Sequence, residues 1–184
     1  MPAASSYALL PFILLSTLWA QGVKYPALKL GEEVPDFSLP YATKDSIPLV
    51  NIRLSDLIGK RIILLAFYPA DWSGGCTREV CTLRDNFAAL NALDAEILAI
   101  SGDYTYSHHE WAKHHNLQFK LLADHRHEVA AMYHSFNQTA GFNKRTVFLI
   151  DKEGKLAYSD MQYSTKDLTS FNNLKGALEK IAGK

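Results

Sequence analysis

Short apolar runs alternate with amphipathic stretches through most of the chain. Arg61–Phe67 and Glu96–Ser101 are nearly continuous apolar runs, which are typical of strands that a sheet buries on both faces. Between them, from about Cys76 to Leu93, apolar residues recur at helical spacing, and the closing stretch Asp167–Ala182 shows the same period. This strand–helix–strand order predicts a sheet with parallel strands joined by a crossover helix.

The remaining pattern completes an α/β domain. Four prolines between residues 21 and 48 predict an extended segment with a short strand at Phe37–Leu39. Residues 151–154 end in a glycine that can adopt a positive φ, which predicts the turn of a hairpin. The order of elements is the outline of a thioredoxin-like domain, with a central mixed β-sheet flanked by helices on both faces. The other predicted elements are helices at Ser107–Asn116 and His127–Ser135, and strands near Phe119–Leu122, at Thr146–Ile150 and at Lys155–Tyr158.

The first 20 residues differ in character from the rest. They contain no charged side chain, and Tyr7–Trp19 is almost continuously apolar. This run is shorter than the roughly 20 residues of a membrane helix, and it suits the apolar region of a secretory signal peptide cleaved after Ala20. We therefore expect residues 21–184 to form a single exported domain, periplasmic or secreted, without stable membrane association. The alternative is an N-terminal anchor or an irregular extension, and if the segment is not a signal the expected location is the cytoplasm.

Composition and charge narrow the possible functions. The chain has 184 residues, of which 48% are hydrophobic, so it can bury one sizeable core. Basic and acidic residues are equal at 19 each, which argues against a nucleic-acid partner. The two cysteines are too few for a disulfide scaffold or a structural zinc site. They suffice for one redox pair, and we expect neither a metal nor an organic cofactor.

The two cysteines occupy different faces of the predicted helix. At 100° per residue, Cys76 shares the core-facing stripe with Val80 and Leu83, whereas Cys81 lies about 140° round the helix. Cys76 opens the helix, where free backbone N–H groups and the positive end of the macrodipole favour a thiolate. The alternative for Cys76 is an inert, small buried side chain. A strand, a Pro-Gly loop and a helix start placed around one thiol favour the reactive interpretation.

The segment Phe67–Cys81, FYPADWSGGCTREVC, resembles the active-site segment of the peroxiredoxins, members of the AhpC/TSA superfamily. It is most similar to the bacterioferritin-comigratory, or peroxiredoxin Q, subfamily, whose two catalytic cysteines are separated by four residues. The resemblance runs from about residue 28 to the C-terminus, with several motifs in the same order. The other matching segments are Pro35–Phe37, Ile100–Asp103, Ser107–His108, Leu121–Asp124 and Arg145–Asp151.

The resemblance implies a thiol-dependent peroxidase that reduces hydrogen peroxide and organic hydroperoxides. Cys76 is then the peroxidatic cysteine and Cys81 the candidate resolving cysteine, joined in an intramolecular disulfide that a thioredoxin-like reductant reopens. The expected assembly is a monomer or weak homodimer. Two rival functions are a thiol–disulfide oxidoreductase, whose cysteines usually have two intervening residues, and a non-enzymatic redox sensor or chaperone module.

The resemblance also assigns roles around Cys76. Pro69 shields the thiolate from water, and Ser73 donates to the bound peroxide from a position where the family usually has threonine. Arg145 stabilises the thiolate and the polarised O–O bond, since donors are needed where charge grows on the leaving oxygen. We expect Glu79 to hold Arg145 by a bidentate contact. Without the resemblance, Ser73 is interpreted as a helix-cap hydroxyl and Arg145 as a surface residue of a strand.

The seven histidines include two adjacent pairs, His108-His109 and His114-His115. Neighbouring residues point to different faces of a helix, and no cysteine or carboxylate cluster lies at ligand spacing with them. We therefore expect a solvated helix surface rather than a metal site. Trp72 and Trp111 either line the mouth of the pocket or pack in the ordinary way.

Overall fold

The structure is a computed structural model that describes residues 25–183, so the predicted signal peptide at residues 1–20 lies outside the described residues. The helices are α1 (Gly74–Asp85), α2 (Phe87–Ala92), α3 (Thr105–His114), α4 (Glu128–Met132) and α5 (Thr169–Ile181), with a 3-10 turn at Leu54–Asp56. The strands are β1 (Ser38–Leu39), β2 (Tyr41–Ala42), β3 (Ile52–Arg53), β4 (Ile62–Phe67), β5 (Ala95–Ser101), β6 (Lys120–Ala123), β7 (Phe136–Asn137), β8 (Phe142–Asn143), β9 (Thr146–Ile150) and β10 (Leu156–Asp160).

Six strands form the central sheet, in the order β10-β9-β4-β5-β6-β2. β4, β5 and β6 are parallel, whereas β9, β10 and β2 each pair antiparallel with their neighbour. The prediction of a mixed sheet built on a β-α-β crossover and a closing hairpin is therefore confirmed. Every residue of β4 is buried, because β4 lies inside the sheet and both its faces are covered.

The two faces of the sheet carry separate hydrophobic cores. Side chains of β4 alternate between them, so that Leu64 joins the core under α1, α2, α3 and α5, and Leu65 joins the core under α4 and the N-terminal segment. Helices therefore cover both faces, as predicted. No helix within residues 25–183 is long and apolar enough to cross a membrane.

The prediction of one continuous helix from about Cys76 to Leu93 is wrong at its start and in its middle. α1 begins two residues earlier, at Gly74, and it ends at Asp85, before α2 begins at Phe87. The Asn86 amide between them donates to the Thr82 carbonyl at 2.9 Å, so a side chain competes for a helical acceptor where the helix is interrupted. The predicted core-facing stripe survives because α2 continues along the same side of the sheet.

The pairing of β4 with β9 determines where Arg145 lies. Phe67, the last residue of β4, lies opposite Thr146, the first residue of β9. Arg145, the residue before Thr146, therefore lies beside the carboxyl end of β4, where the loop leading to α1 begins. Phe67 and Thr146, 79 positions apart in sequence, thus meet at one end of the sheet.

Candidate active site

Cys76 lies in the first turn of α1, at the end of the loop that leaves β4. Ser73 occupies the N-cap position, and its carbonyl accepts the first helical hydrogen bond from Thr77 at 2.9 Å. The N–H groups of Gly74, Gly75 and Cys76 precede that bond and have no acceptor within the helix. Cys76 is completely buried and not in a disulfide. The predicted placement of a buried thiol at a helix N-terminus is confirmed.

Arg145 contacts the thiol directly. Its Nη2 donates to Cys76 Sγ at 3.4 Å. A Cβ at position 75 would lie 3.0 Å from the same nitrogen, so Gly75 leaves room for the guanidinium to approach. Burial disfavours the charge on Arg145, but Glu79 and Cys76 outweigh burial and raise the pKa of the guanidinium. A permanent positive charge therefore faces the sulfur, where it stabilises an anion.

Glu79 holds the guanidinium of Arg145 in place. Its carboxylate is buried, and Oε2 accepts a hydrogen bond from Arg145 Nη1. The predicted bidentate contact is wrong, because Arg145 turns Nη2 toward Cys76, and Glu79 Oε1 has no hydrogen-bond partner within residues 25–183. Burial raises the pKa of Glu79 to about 7, against the opposing effect of Arg145.

Ser73 and Pro69 belong to the same loop, and both are partly buried. The Ser73 hydroxyl donates to the Ala70 carbonyl at 3.2 Å and makes no side-chain cap of α1. Trp72, between them, adopts a left-handed backbone with φ of 61°, which is unusual for a bulky side chain. The Ser73–Ala70 hydrogen bond and the left-handed backbone of Trp72 therefore shape the turn that leads into α1.

Cys81 is separated from Cys76 by more than a turn of α1, and the two thiols are not near each other. Its side chain is half-buried, and its Sγ lies 3.9 Å from Nδ1 of His115. Cys81 also lines a cavity of about 390 Å³ between α1 and residues 163–171. The structure thus brings Cys76, Arg145 and Glu79 together and leaves Cys81 outside that group.

A buried polar network beside the loop was not predicted from the sequence. Asp71 accepts hydrogen bonds from Tyr68 at 2.8 Å, Ser107 at 2.7 Å and His108 Nδ1 at 2.9 Å. The second His108 nitrogen lies 3.2 Å from the Leu122 carbonyl, so both ring nitrogens face oxygen atoms. Burial and the charge of Asp71 raise the pKa of Tyr68 well above its usual value, which keeps its hydroxyl a donor.

The expectation of a solvated histidine surface is wrong for His108, which is 0% exposed. The helical period contained the signal: His108, Trp111, Ala112 and His115 are spaced i, i+3, i+4 and i+7, so they share one face of α3. Trp111 and Ala112 are buried in the core, whereas Trp72 is exposed. Within residues 25–183, no group of three or more His, Cys, Asp or Glu side chains is arranged to hold a metal ion.

Known proteins share this arrangement of elements. Residues 30–159 match the AhpC/TSA family. The chain belongs to that family. Peroxiredoxin Bcp of Bacillus subtilis is 35% identical to this peroxiredoxin over 146 residues, which cover 76% of this chain and 89% of the relative. Peroxiredoxins are thiol-dependent peroxidases, so the chain is an enzyme of that class.

Solved structures agree with the fold. Peroxidoxin BcpB of Mycobacterium tuberculosis is 27% identical, with a TM-score of 0.72 over 84% of this chain and 98% of that one. The reduced 2-Cys peroxiredoxin of Plasmodium vivax is 25% identical, with a TM-score of 0.74 over 84% of this chain and 96% of that one. The predicted thioredoxin-like fold of this peroxiredoxin is therefore confirmed.

Proposed function

We propose that this peroxiredoxin reduces hydrogen peroxide and organic hydroperoxides through Cys76, with Cys81 as the resolving cysteine and a thioredoxin-like dithiol as reductant. The observation that carries the proposal is the contact of Arg145 Nη2 with the buried Sγ of Cys76 at the start of α1. A guanidinium and the free N–H groups of a helix start both stabilise a thiolate, which is the reactive form of the thiol.

The first step is attack of the Cys76 thiolate on one peroxide oxygen. An S–O bond forms, the O–O bond breaks, and the leaving oxygen takes a proton to become water or an alcohol. Charge grows on that leaving oxygen, so donors near the sulfur lower the barrier. Arg145 and the Ser73 hydroxyl are the proposed donors, and Pro69 restricts the access of water to the sulfur.

The second step joins the sulfenic acid of Cys76 to Cys81. In an intact helix the Cα atoms of these residues are roughly 8–9 Å apart, whereas a disulfide tolerates at most about 7 Å. The first turns of α1 must therefore unwind before the bond forms. Gly74 and Gly75 lower the cost of that change, because glycine confers little rigidity at a helix terminus.

Recycling requires an external dithiol. A half-buried Cys81 beside an open cavity is the more accessible of the two sulfurs for that exchange. If residues 1–20 are a signal peptide, the reductant must also lie outside the cytoplasm. Intact-mass analysis of the protein from its native host checks this point: we expect a mature N-terminus at Gln21 in the exported fraction, and a full-length cytosolic protein would contradict it.

Stopped-flow kinetics with hydrogen peroxide test the proposal. We expect the wild-type thiol to react orders of magnitude faster than free cysteine, and Cys76→Ser to lose that reaction completely. Cys81→Ser should keep a fast first turnover but stop at the sulfenic acid, which excess peroxide converts to the sulfinic acid. A slow wild-type reaction would favour the oxidoreductase or sensor alternatives. Intermolecular disulfides of Cys76 alone, with Cys81 free, would remove Cys81 from the mechanism.

A further inference from the structure

The thiol of Cys81 lies against a histidine that peroxide reduction does not use. Cys81 Sγ is 3.9 Å from Nδ1 of His115, the residue that follows α3. We propose that His115 is the base that deprotonates Cys81 for its attack on oxidised Cys76. This inference rests on the proposed function, in which Cys81 is the resolving cysteine.

Contacts from α1, α3 and the loop before α1 hold His115 in place. Arg84, one turn after Cys81 in α1, donates from Nη1 to the His115 carbonyl at 2.9 Å and so ties the two helices together. The buried ring of Trp111 packs perpendicular to the His115 ring, with centroids 5.9 Å apart. Trp72 covers the imidazole at 6.4 Å. The imidazole is thus fixed beside the sulfur, which is the geometric condition for a general base.

Burial and the neighbouring positive charges favour the neutral form of the His115 ring. The ionisable groups that face His115 are Cys81 and Arg84 from α1, the latter paired with Asp85, and His114 from α3. Burial, then His114 and Arg84, lower the pKa of His115 below its usual value. A neutral imidazole with its proton on Nε2 leaves Nδ1 free to accept the thiol proton.

The reaction balances without any further reagent. The Cys81 proton moves to His115 Nδ1, and the thiolate attacks Sγ of the Cys76 sulfenic acid. The S–S bond forms as the S–O bond breaks, so Cys81 is oxidised and the sulfenyl sulfur is reduced. The departing hydroxide takes up one proton to become water, and His115 returns its proton to solvent.

The size of the effect follows from thiol ionisation. An unassisted cysteine thiol with a pKa near 8.5 is only about 3% thiolate at pH 7. A base that removes the proton during attack therefore accelerates resolution by up to about 30-fold at that pH. The advantage shrinks as the pH approaches 9, where the thiol ionises without help.

The test compares His115→Asn with His114→Asn. Asparagine can accept a hydrogen bond near the position of Nδ1 but cannot take up a proton. His114 is an exposed neighbour whose ring packs on Trp72, and it serves as the matched control. Each protein is mixed with one equivalent of hydrogen peroxide between pH 6 and 9.5 and quenched at intervals. Mass spectrometry then separates trapped sulfenic acid from the internal disulfide.

We expect His115→Asn to form the sulfenic acid at the wild-type rate and to resolve it about 10- to 30-fold more slowly at pH 7, with the deficit closing near pH 9. His114→Asn should follow the wild type from pH 7 to 9.5 and resolve more slowly only near pH 6, because without His114 the pKa of His115 is less depressed. A His115→Asn deficit that is equal at every pH, or no deficit, overturns the inference while Cys81→Ser still traps the sulfenic acid and upholds the proposed function. If Cys81→Ser itself resolves normally, the proposed function and the inference both fail.

Discussion

Cys76 and Cys81 share one helix, yet their surroundings differ in charge, burial and access. Cys76 is fully buried, and the permanently charged guanidinium of Arg145 lies against its sulfur. Cys81 is half-buried at the edge of a cavity and faces the imidazole of His115, which can gain or lose a proton. A fixed charge suits the role proposed for Cys76, in which a thiolate attacks a small substrate. A titratable neighbour and an open path suit the role proposed for Cys81, which reacts first with Cys76 and then with a reductant.

The largest expected effect comes from weakening the buried hydrogen-bond network around Asp71, which lies in the loop before Cys76. Asp71→Asn replaces a carboxylate oxygen by an NH2 group, so donors among Tyr68, Ser107 and His108 lose an acceptor in a site closed to water. Each buried donor left without an acceptor costs about 1–3 kcal/mol, and more than one donor is affected, so we expect a loss of about 3–5 kcal/mol in all. Urea denaturation of the reduced protein measures this loss.

Asp85→Asn is the matched control on the Cys81 side. Asp85 pairs with Arg84 at the surface, and its side chain is 62% exposed. Surface pairs contribute about 0–1 kcal/mol, so this variant should unfold close to the wild-type midpoint. Equal losses for the two variants would contradict the view that the loop before Cys76 depends on its buried hydrogen-bond network.

Arg145→Ala tests the charge on Cys76 itself. Removing a donor that stabilises developing charge costs about 10²–10³-fold in rate, and we expect that loss in the second-order reaction with peroxide. The free energy of unfolding should change less than the barrier does. Arg126→Ala, which removes an exposed guanidinium paired with Glu128, should react at the wild-type rate. A wild-type rate for Arg145→Ala would make Arg145 a structural residue.

Glu79→Gln should alter how stability depends on pH. Because burial raises the pKa of Glu79 from 4.5 to about 7, the folded protein holds a proton that the unfolded chain releases. The resulting stabilisation is complete below pH 4.5 and is lost as the pH rises through about 7, by about 3 kcal/mol in all. The stability of wild type relative to Glu79→Gln should therefore fall across that window.

Urea denaturation at pH 4.5, 5.5, 6.5 and 7.5 measures the change. Glu110→Gln removes an exposed carboxylate of α3 and should parallel the wild type. If wild type and Glu79→Gln lose or gain stability in parallel from pH 4.5 to 7.5, Glu79 is ionised throughout and its pairing with Arg145 outweighs its burial.

Features of the α1 region that depend on neighbouring residues could be predicted from the sequence, whereas contacts between distant segments could not. Apolar periodicity located β4 and the buried face of α1, since these depend on residues close together in the chain. The resemblance led to Arg145, although the contact itself depends on pairing between β4 and β9. No local pattern shows that Arg145 divides its two nitrogens between Glu79 and Cys76, and so the bidentate contact was predicted wrongly.

His108 shows a different source of error. The adjacent histidine pairs were interpreted as a polar surface, but the position of His108 on the Trp111 face of α3 already placed it toward the core. What the sequence does not contain is its partner, because Asp71 comes from a loop 37 residues earlier. Buried polar pairs between distant segments depend on tertiary structure, whereas apolar stripes do not.

The smallest expected effect concerns the helix that both cysteines share. Because a Cys76–Cys81 bond cannot form across an intact helix, oxidation should raise amide exchange over residues 75–84, most strongly toward the N-terminal end. An increase of roughly 10- to 100-fold corresponds to about 1.4–2.7 kcal/mol of lost local stability. β4 should remain protected, since its pairing with β5 and β9 does not involve α1. Cys81→Ser treated with one equivalent of peroxide is the control, because it reaches the sulfenic acid without forming the bond. If that variant exchanges as fast as the oxidised wild type, peroxide and not the disulfide unwinds α1, and the two thiols then differ only in their surroundings and not in what each does to the helix.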